Sequence, residues 1–381
     1  MCGIAGFIDC SAVRNSDEMK ENILRMTQVL VHRGPDDSGV WVNRDNGICF
    51  GHRRLSIIDL SASGHQPMES LSGRYIIVFN GEIYNFAEIK SKLEAEADYS
   101  WRGHSDTEVI LEAVNRWGIN EALGYFNGMF AFALFDRLKR QLYLVRDRLG
   151  KKPLYYGQSG EIFLFASELK SIREHKDFKP EVDRDALALY LRYNYVPAPY
   201  SIYRGIYKLF PGKMLVLDLG ERGIINQEMI TFWSAKEIAR AGSRKPFSGT
   251  FDQALTELEG LLLDAVRLRL VSDVPVGAFL SGGIDSSLIV ALMQEHNSGR
   301  VKTFTIGLEE QGFNEAVFSK QIARYLHTEH TEFYVTAQEA REAIPQLPSL
   351  YDEPFADSSQ IPTFLVSRLT RQHVTVTLSG D

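Results

Sequence analysis

Along the first half of the chain, apolar residues come in short runs, many alternating with polar ones: GIAGFID, GICFGHRRLSIID, RYIIVFNGEIYN, FAFALFD, QLYLVRD, LYYGQSGEIFLFAS and GKMLVLDL. Glycine, aspartate and asparagine punctuate these runs, which is the chemistry of turns between strands. Between some of them the period lengthens. In DEMKENILRMTQVL, Met19, Ile23, Met26 and Leu30 recur at helical spacing, and SDTEVILEAVNRW opens on a Ser/Asp/Thr cluster suited to capping a helix. Strand runs interrupted by amphipathic helices predict an α+β layered domain over residues 1–218.

Over residues 219–249 the periodicity fades while glycine, serine and charge increase, most clearly in ARAGSRKPFSG, and this stretch reads as a linker. Residues 250–381 follow a different rule. VPVGAFL is succeeded by SSLIVALMQEH, KTFTIGL by NEAVFSKQIARYLH, and HTEFYV by a helical stretch and then HVTVTL. Strands separated by helices predict a parallel sheet with right-handed crossovers. The last strand runs into SGD, where a loop and a covering helix are due. Parallel sheets are covered on both faces, so this α/β domain is expected to be incomplete at its C-terminus and the chain to be a truncated piece.

Composition narrows the function classes. A chain of 381 residues favours two domains, and 44% hydrophobic with 24% charged residues is ordinary for a globular protein. The net charge is −7 with no long basic run, which argues against nucleic acid or an anionic membrane as the main partner. No apolar stretch reaches membrane-spanning length, and Asp9 cuts the first apolar run too short for a secretory signal. The three cysteines, Cys2, Cys10 and Cys49, show no metal-ligand spacing, which fits a reducing cytoplasm without a disulfide framework.

Two stretches carry chemistry. SGGIDSS, Ser281 to Ser287, lies between a predicted strand and a predicted helix. Gly282 and Gly283 let backbone approach a ligand, and Ser286 and Ser287 open a helix whose free N–H groups favour an anion. A tight turn with serine as N-cap is the plainer alternative. No lysine follows the glycines, so the loop suits a pyrophosphate leaving group better than a transferred γ-phosphoryl. Asp285 could orient or ligate Mg2+, or simply complement the helix terminus. Ile306 and Ser379-Gly380-Asp381 follow strands at the same carboxyl edge, where open α/β sheets bind ligands. YDEPFADSS adds acids and hydroxyls before another helix.

The other stretch is the start, MCGIAGFIDC. If Met1 is removed, Cys2 carries a thiol and an α-amine on one residue. An α-amine of pKa about 7.7–8.0 is partly unprotonated at neutral pH and can act as base for the thiol. A small buried hydrophobe in a first strand is the alternative. Companions favour chemistry: Arg54 suits a carboxylate, Asn80 and Gly81 can form an oxyanion hole, and Glu82 and Asp106 can hold an ammonium group. Each has an ordinary reading as a solvated edge, a turn or a helix cap. Together they describe thiolysis of a free amino acid's side-chain amide, with glutamine the obvious candidate.

Cys2 with GIAGF, then HRGPDDSG, GHRRLSIIDLS, FNGEIYN, GHSDTEVI, RDRLGKKPLYY, SGGIDSS and DEPFADSS occur in the order found in glutamine-hydrolysing asparagine synthases, and the chain resembles that family almost end to end. The resemblance implies an N-terminal-nucleophile αββα sandwich followed by an ATP-pyrophosphatase-type domain. It implies that Cys2 hydrolyses glutamine through a thioester, with Arg54 on the substrate carboxylate, Glu82 and Asp106 on its amine, and Asn80 and Gly81 on the oxyanion. ATP with Mg2+ would then activate aspartate, and channelled ammonia would give asparagine, AMP and pyrophosphate. Nucleotide contacts would fall on Leu280, Ser281, Gly282, Gly283, Asp285, Ser286, Ile306, Ser379 and Gly380, with metal at Asp285 and Asp381 assisting ammonia's attack.

The implied partners are therefore small molecules, glutamine, aspartate and ATP, with neither nucleic acid nor membrane; a homodimer is compatible with this. Because the chain ends before the SGDGGDE-type loop is complete, it is expected to hydrolyse glutamine but make little asparagine. Two rival readings stand: a related amidotransferase acting on another carboxylate such as a sugar uronic acid, and a binding module without turnover.

Overall fold

Alternation along the strands becomes two stacked sheets in the computed structural model, which describes residues 1–11, 15–221, 223–297, 299–308 and 315–380. The chain divides into two units, Met1–Lys245 with Asp352–Phe355, and Pro246–Tyr351 with Ala356–Asp381.

In the first unit one antiparallel sheet runs, edge to edge, Ile206–Lys208, Tyr155–Ser159, Ile162–Ala166, Gly3–Asp9, Ile48–Arg54, Asp37–Asn43. The other runs Gly223–Thr231, Lys213–Gly220, Gln141–Arg146, Gly128–Asp136, Tyr75–Ile83, Met68–Glu69. Period-two sequence gives each strand two faces. Ile76 and Val78 join Ile4, Ile8, Ile48 and Phe50 in the core between the sheets. Ile77 and Phe79, on the opposite face, pack with Val109, Ile110 and Val114 of the helix Asp106–Trp117. The outer face of the first sheet buries Met19, Ile23 and Met26 of the helix Ser16–Gln28. Helix, sheet, sheet, helix is the αββα sandwich that the resemblance implies.

The stretch read as a linker differs from expectation. Residues Gly223–Thr231 form the edge strand of the second sheet, paired to Lys213–Gly220, and Ala235–Arg244 is a helix capped by Ser234. Residues 226–229 of the edge strand are exposed on both faces and so lack apolar alternation, and the helix buries none of its residues, its glycine, serine and charge reading as linker composition.

The second unit holds a four-stranded parallel sheet in the order Glu329–Val335, Lys302–Leu308, Val276–Phe279, Val376–Leu378. The chain steps outward twice from Val276–Phe279 and then returns to its other side. The strand order therefore reverses at Val276–Phe279, and such a reversal opens a crevice at the carboxyl ends. Helix Phe251–Arg269, started by a capping box at Thr250 and Gln253, supplies Val266 to the core with Ala278, Leu280, Val290 and Met293. Among the described residues, no helix is long and apolar enough to cross a membrane.

Candidate active sites

Antiparallel pairing decides where Cys2 sits. Gly3 is opposite Arg53 and Ile4 opposite His52, so Cys2 lies just past the strand end, against Leu55. The Leu55 N–H donates to Cys2 Sγ at 3.4 Å. Burial pushes the thiol pKa up; the nearby terminal amine, the Leu55 amide and the Lys152 ammonium pull the other way without overcoming it. Burial also brings the terminal amine, here that of Met1, down to about 6. A proton acceptor at neutral pH thus stands beside a thiol that needs one.

The strand Tyr75–Ile83 provides the receiving side. Asn80 is wholly buried, and neither its Oδ1 nor its Nδ2 has a hydrogen-bond partner. Leaving such an amide unpaired costs about 1–3 kcal/mol, which makes Asn80 a candidate to meet a ligand or a water. The next residue lacks a side chain, and the alternation of an antiparallel ladder turns the Gly81 N–H to the same open edge as that of Phe79. Two donors at adjacent positions make an oxyanion hole in kind.

Asp106 is the first residue of its helix, the N-cap being Ser105. Its Oδ2 accepts from the Ile83 N–H at 3.0 Å and its Oδ1 from the Thr107 hydroxyl at 3.4 Å. Burial raises its pKa to about 7, and the Glu82 carboxylate adds to the rise. Two carboxylates that disfavour each other's charge are suited to a cation between them. Arg54 is buried, its guanidinium donating to the backbone carbonyls of Ser61, Ile58 and Asp59. Those bonds lock its orientation and leave Nε–H and one Nη1–H for a ligand.

Sequence reasoning missed a set of charges here. Lys152, from RDRLGKKPLYY, is 3% exposed and lies within electrostatic reach of Cys2, Glu82 and Arg33. Arg33 pairs with Glu168, which also takes His32 at 3.1 Å and Lys170 at 3.0 Å. Burial works against the Glu168 charge, but His32, Arg33 and Lys170 outweigh it and bring the pKa to about 2.

In the second unit, a cavity of about 270 Å³ gathers Leu280, Ser281, Gly283, Asp285, Ser286, Ile306, Ser379 and Gly380. Gly282 supplies the turn at φ +86° rather than lining. The helix Ile284–His296 has Gly283 as its N-cap with no side-chain cap, so its first N–H groups face the cavity mouth uncapped. The Ser286 hydroxyl bonds Ser281 Oγ at 3.0 Å and receives the Ser281 N–H at 3.2 Å, closing the loop. Gly380 brings the last strand's end against this helix: a Cβ there would stand 2.6 Å from Ser286 N. Asp381 lies outside the described residues.

Glu315, Thr305 and the face Pro362, Thr363 and Val366 of the helix Gln360–Thr370 also line it, with Phe279 and Phe304. The sequence did not single them out, since an apolar helix face looks like core. Asp352 and Glu353 of YDEPFADSS belong to the first unit, where Glu353 pairs with Lys208 at 2.5 Å and accepts from Ile202 N at 2.8 Å.

Residues 1–229 match the glutamine amidotransferase domain family and residues 257–381 the asparagine synthase family. A putative asparagine synthetase (glutamine-hydrolyzing) 2 of Methanocaldococcus jannaschii is 39% identical over all of this chain and 74% of its own length. Asparagine synthetase (glutamine-hydrolyzing) 1 of Bacillus subtilis is 38% identical over all of this chain and 57% of its own. A putative counterpart of Mycobacterium tuberculosis H37Rv is 37% identical over all of this chain and 59% of its own. The chain thus spans between 57% and 74% of these relatives. With both domain families matched in order and a relative 39% identical over the whole chain, the chain belongs to the glutamine-hydrolysing asparagine synthetase family.

Proposed function

We propose that the first unit hydrolyses glutamine with Cys2 as nucleophile, and that the whole protein passes the ammonia to an ATP-activated aspartate. The observation that carries the first half is the buried Asn80 amide with both polar atoms unpaired. With Met1 removed, the α-amine belongs to Cys2. It takes the thiol proton as sulfur attacks the substrate's side-chain carbonyl carbon. Asn80 Nδ2–H and Gly81 N–H then meet the oxyanion, the amine returns its proton to the departing ammonia, and water cleaves the thioester to glutamate. Arg54 holds the α-carboxylate, and Glu82 with Asp106 the α-ammonium.

The cradle at Ser281–Ser286 is suited to the phosphates of ATP, and release of pyrophosphate drives activation of the aspartate β-carboxylate. Mg2+ would be held by Asp285, with Glu315 as a second carboxylate on the same cavity; hard cations bridging phosphates take one or two carboxylates. None of the three cysteines forms a disulfide, in keeping with a cytoplasmic protein.

The test treats the full chain with a thiol-reactive glutamine analogue, maps the adduct, and assays ammonia release by Cys2→Ala. An adduct at an unblocked Cys2 and loss of release are expected. Undiminished release, or a retained Met1 in active protein, refutes the nucleophile.

A further inference from the structure

The strand Tyr75–Ile83 is covered by a neighbour on one edge only as far as Ile77, opposite Met68. Beyond that point its open edge bears the residues that matter most. At Phe79, the residue before Asn80, two buried side chains take the place of a missing strand. The Gln66 Oε1 accepts the Phe79 N–H at 2.7 Å, and the His52 Nε2–H donates to the Phe79 carbonyl at 3.0 Å. His52 comes from the facing sheet and is fully buried; Gln66 is 4% exposed. Gln66 continues to the Thr107 hydroxyl at 3.2 Å, and that hydroxyl reaches the Asp106 carboxylate.

We propose that His52 and Gln66 are positioning residues of the glutaminase reaction: they pin the N–H and the carbonyl of Phe79 and thereby aim Asn80 Nδ2 and Gly81 N–H at the oxyanion. The proposal rests on the reading of Asn80 and Gly81 given above. An edge strand left unpinned can twist or shift, and displacement of a catalytic donor by about 1 Å can cost on the order of a hundredfold in rate. The donor role assigns the imidazole a neutral tautomer with the proton on Nε2, consistent with burial holding its pKa near 4. Since the oxyanion exists only after attack, loss of the pin falls on kcat and spares KM.

Geometry supplies a rescue. A glutamine side chain can place an amide N–H where Nε2 sits, whereas asparagine is one methylene too short. We expect His52→Asn and His52→Leu to lower kcat for glutamine hydrolysis about tenfold to a hundredfold, with KM within about threefold, and His52→Gln to recover most of the loss. Gln66→Leu removes the other half of the pin and should lower kcat likewise. If His52→Leu fails to fold, His52→Asn against His52→Gln, with melting temperatures matched, decides. A kcat equal to the parent's in His52→Asn, or losses confined to KM, overturns the proposal. Asn80→Ala separates it from the underlying reading: undiminished hydrolysis there sinks the oxyanion assignment itself, while collapse there with His52 and Gln66 variants at the parent's rate sinks only the pin.

Discussion

The Asp106 carboxylate accepts the backbone N–H of Ile83 at 3.0 Å, tying the first residue of a helix to the end of the strand that carries Asn80, Gly81 and Glu82. Without a ligand this buried carboxyl titrates near pH 7, because burial and the neighbouring Glu82 both disfavour its charge. A bound ammonium needs it ionised. The value of kcat/KM for glutamine should therefore fall as pH drops through about 7, and pH–rate profiles of the full chain would show it. Asp106→Asn should remove that limb and lower kcat/KM on the order of a hundredfold or more, since it leaves a substrate charge buried without its partner. An acid limb unchanged in Asp106→Asn would assign the titration to another group.

How far this was readable in the sequence depends on how each residue acts. Cys2, Arg54, Asn80, Gly81, Glu82 and Asp106 sit inside contiguous patterns, and their side-chain types alone suggest what they touch. His52 and Gln66 act through Phe79, 27 and 13 positions away, Lys152 faces Cys2 from far along the domain's sequence, and Glu168 pairs with Arg33, 135 positions away. Nothing local marks them, because a histidine before a basic pair and a glutamine before proline look like surface. Residues Gly223–Thr231 escaped for the converse reason: the strand is real, but with residues 226–229 wet on both faces its middle has no alternation to read. The strands of the parallel sheet were legible because short apolar or alternating runs take turns with helical ones along the chain.

Acid stability of the first unit should be lost in two stages. His52 and His175 are buried, and burial takes each from its ordinary value of 6.5 to about 4. The unfolded chain protonates them first, so their contribution is full above pH 6.5 and fades as pH falls towards 4, by about 3 kcal/mol each. Glu168, held at about 2 against an ordinary 4.5, adds a second loss between pH 4.5 and 2. Asp106, raised from 3.8 to about 7, adds stability as pH falls through the same range, so the histidine loss is read by difference. Urea midpoints of His175→Gln measured from pH 8 to 4 should fall less steeply below 6.5 than the parent's; equal slopes would show that His175 does not contribute.

Glu168 is also the hub of three cations, so removing its charge should be costly at neutral pH. Glu168→Gln leaves Arg33, Lys170 and His32 around a neutral amide, with Arg33 only 13% exposed. Breaking one side of a buried pair costs about 3–5 kcal/mol. The midpoint of thermal unfolding should drop by several degrees, and the drop should vanish near pH 2, where the parent's carboxyl is itself protonated. A drop of equal size at both pH values would point to packing rather than charge.

Lys152 offers a test of how the thiol is tuned. Its ammonium is almost fully buried, and it favours the Cys2 thiolate while burial alone opposes it. Thiolate is the nucleophilic form, and each unit of pKa changes its population tenfold below the pKa. Lys152→Met keeps the length of the chain and removes the charge. Alkylation of Cys2 by a neutral reagent at pH 7 should then slow several-fold, with the inflection of its pH–rate curve moved upward. At pH values high enough to ionise the thiol in both proteins the two rates should converge, because only the equilibrium has been altered. Should the curves coincide throughout, the lysine acts on Glu82 instead, and the variant should raise KM for glutamine without touching the alkylation rate.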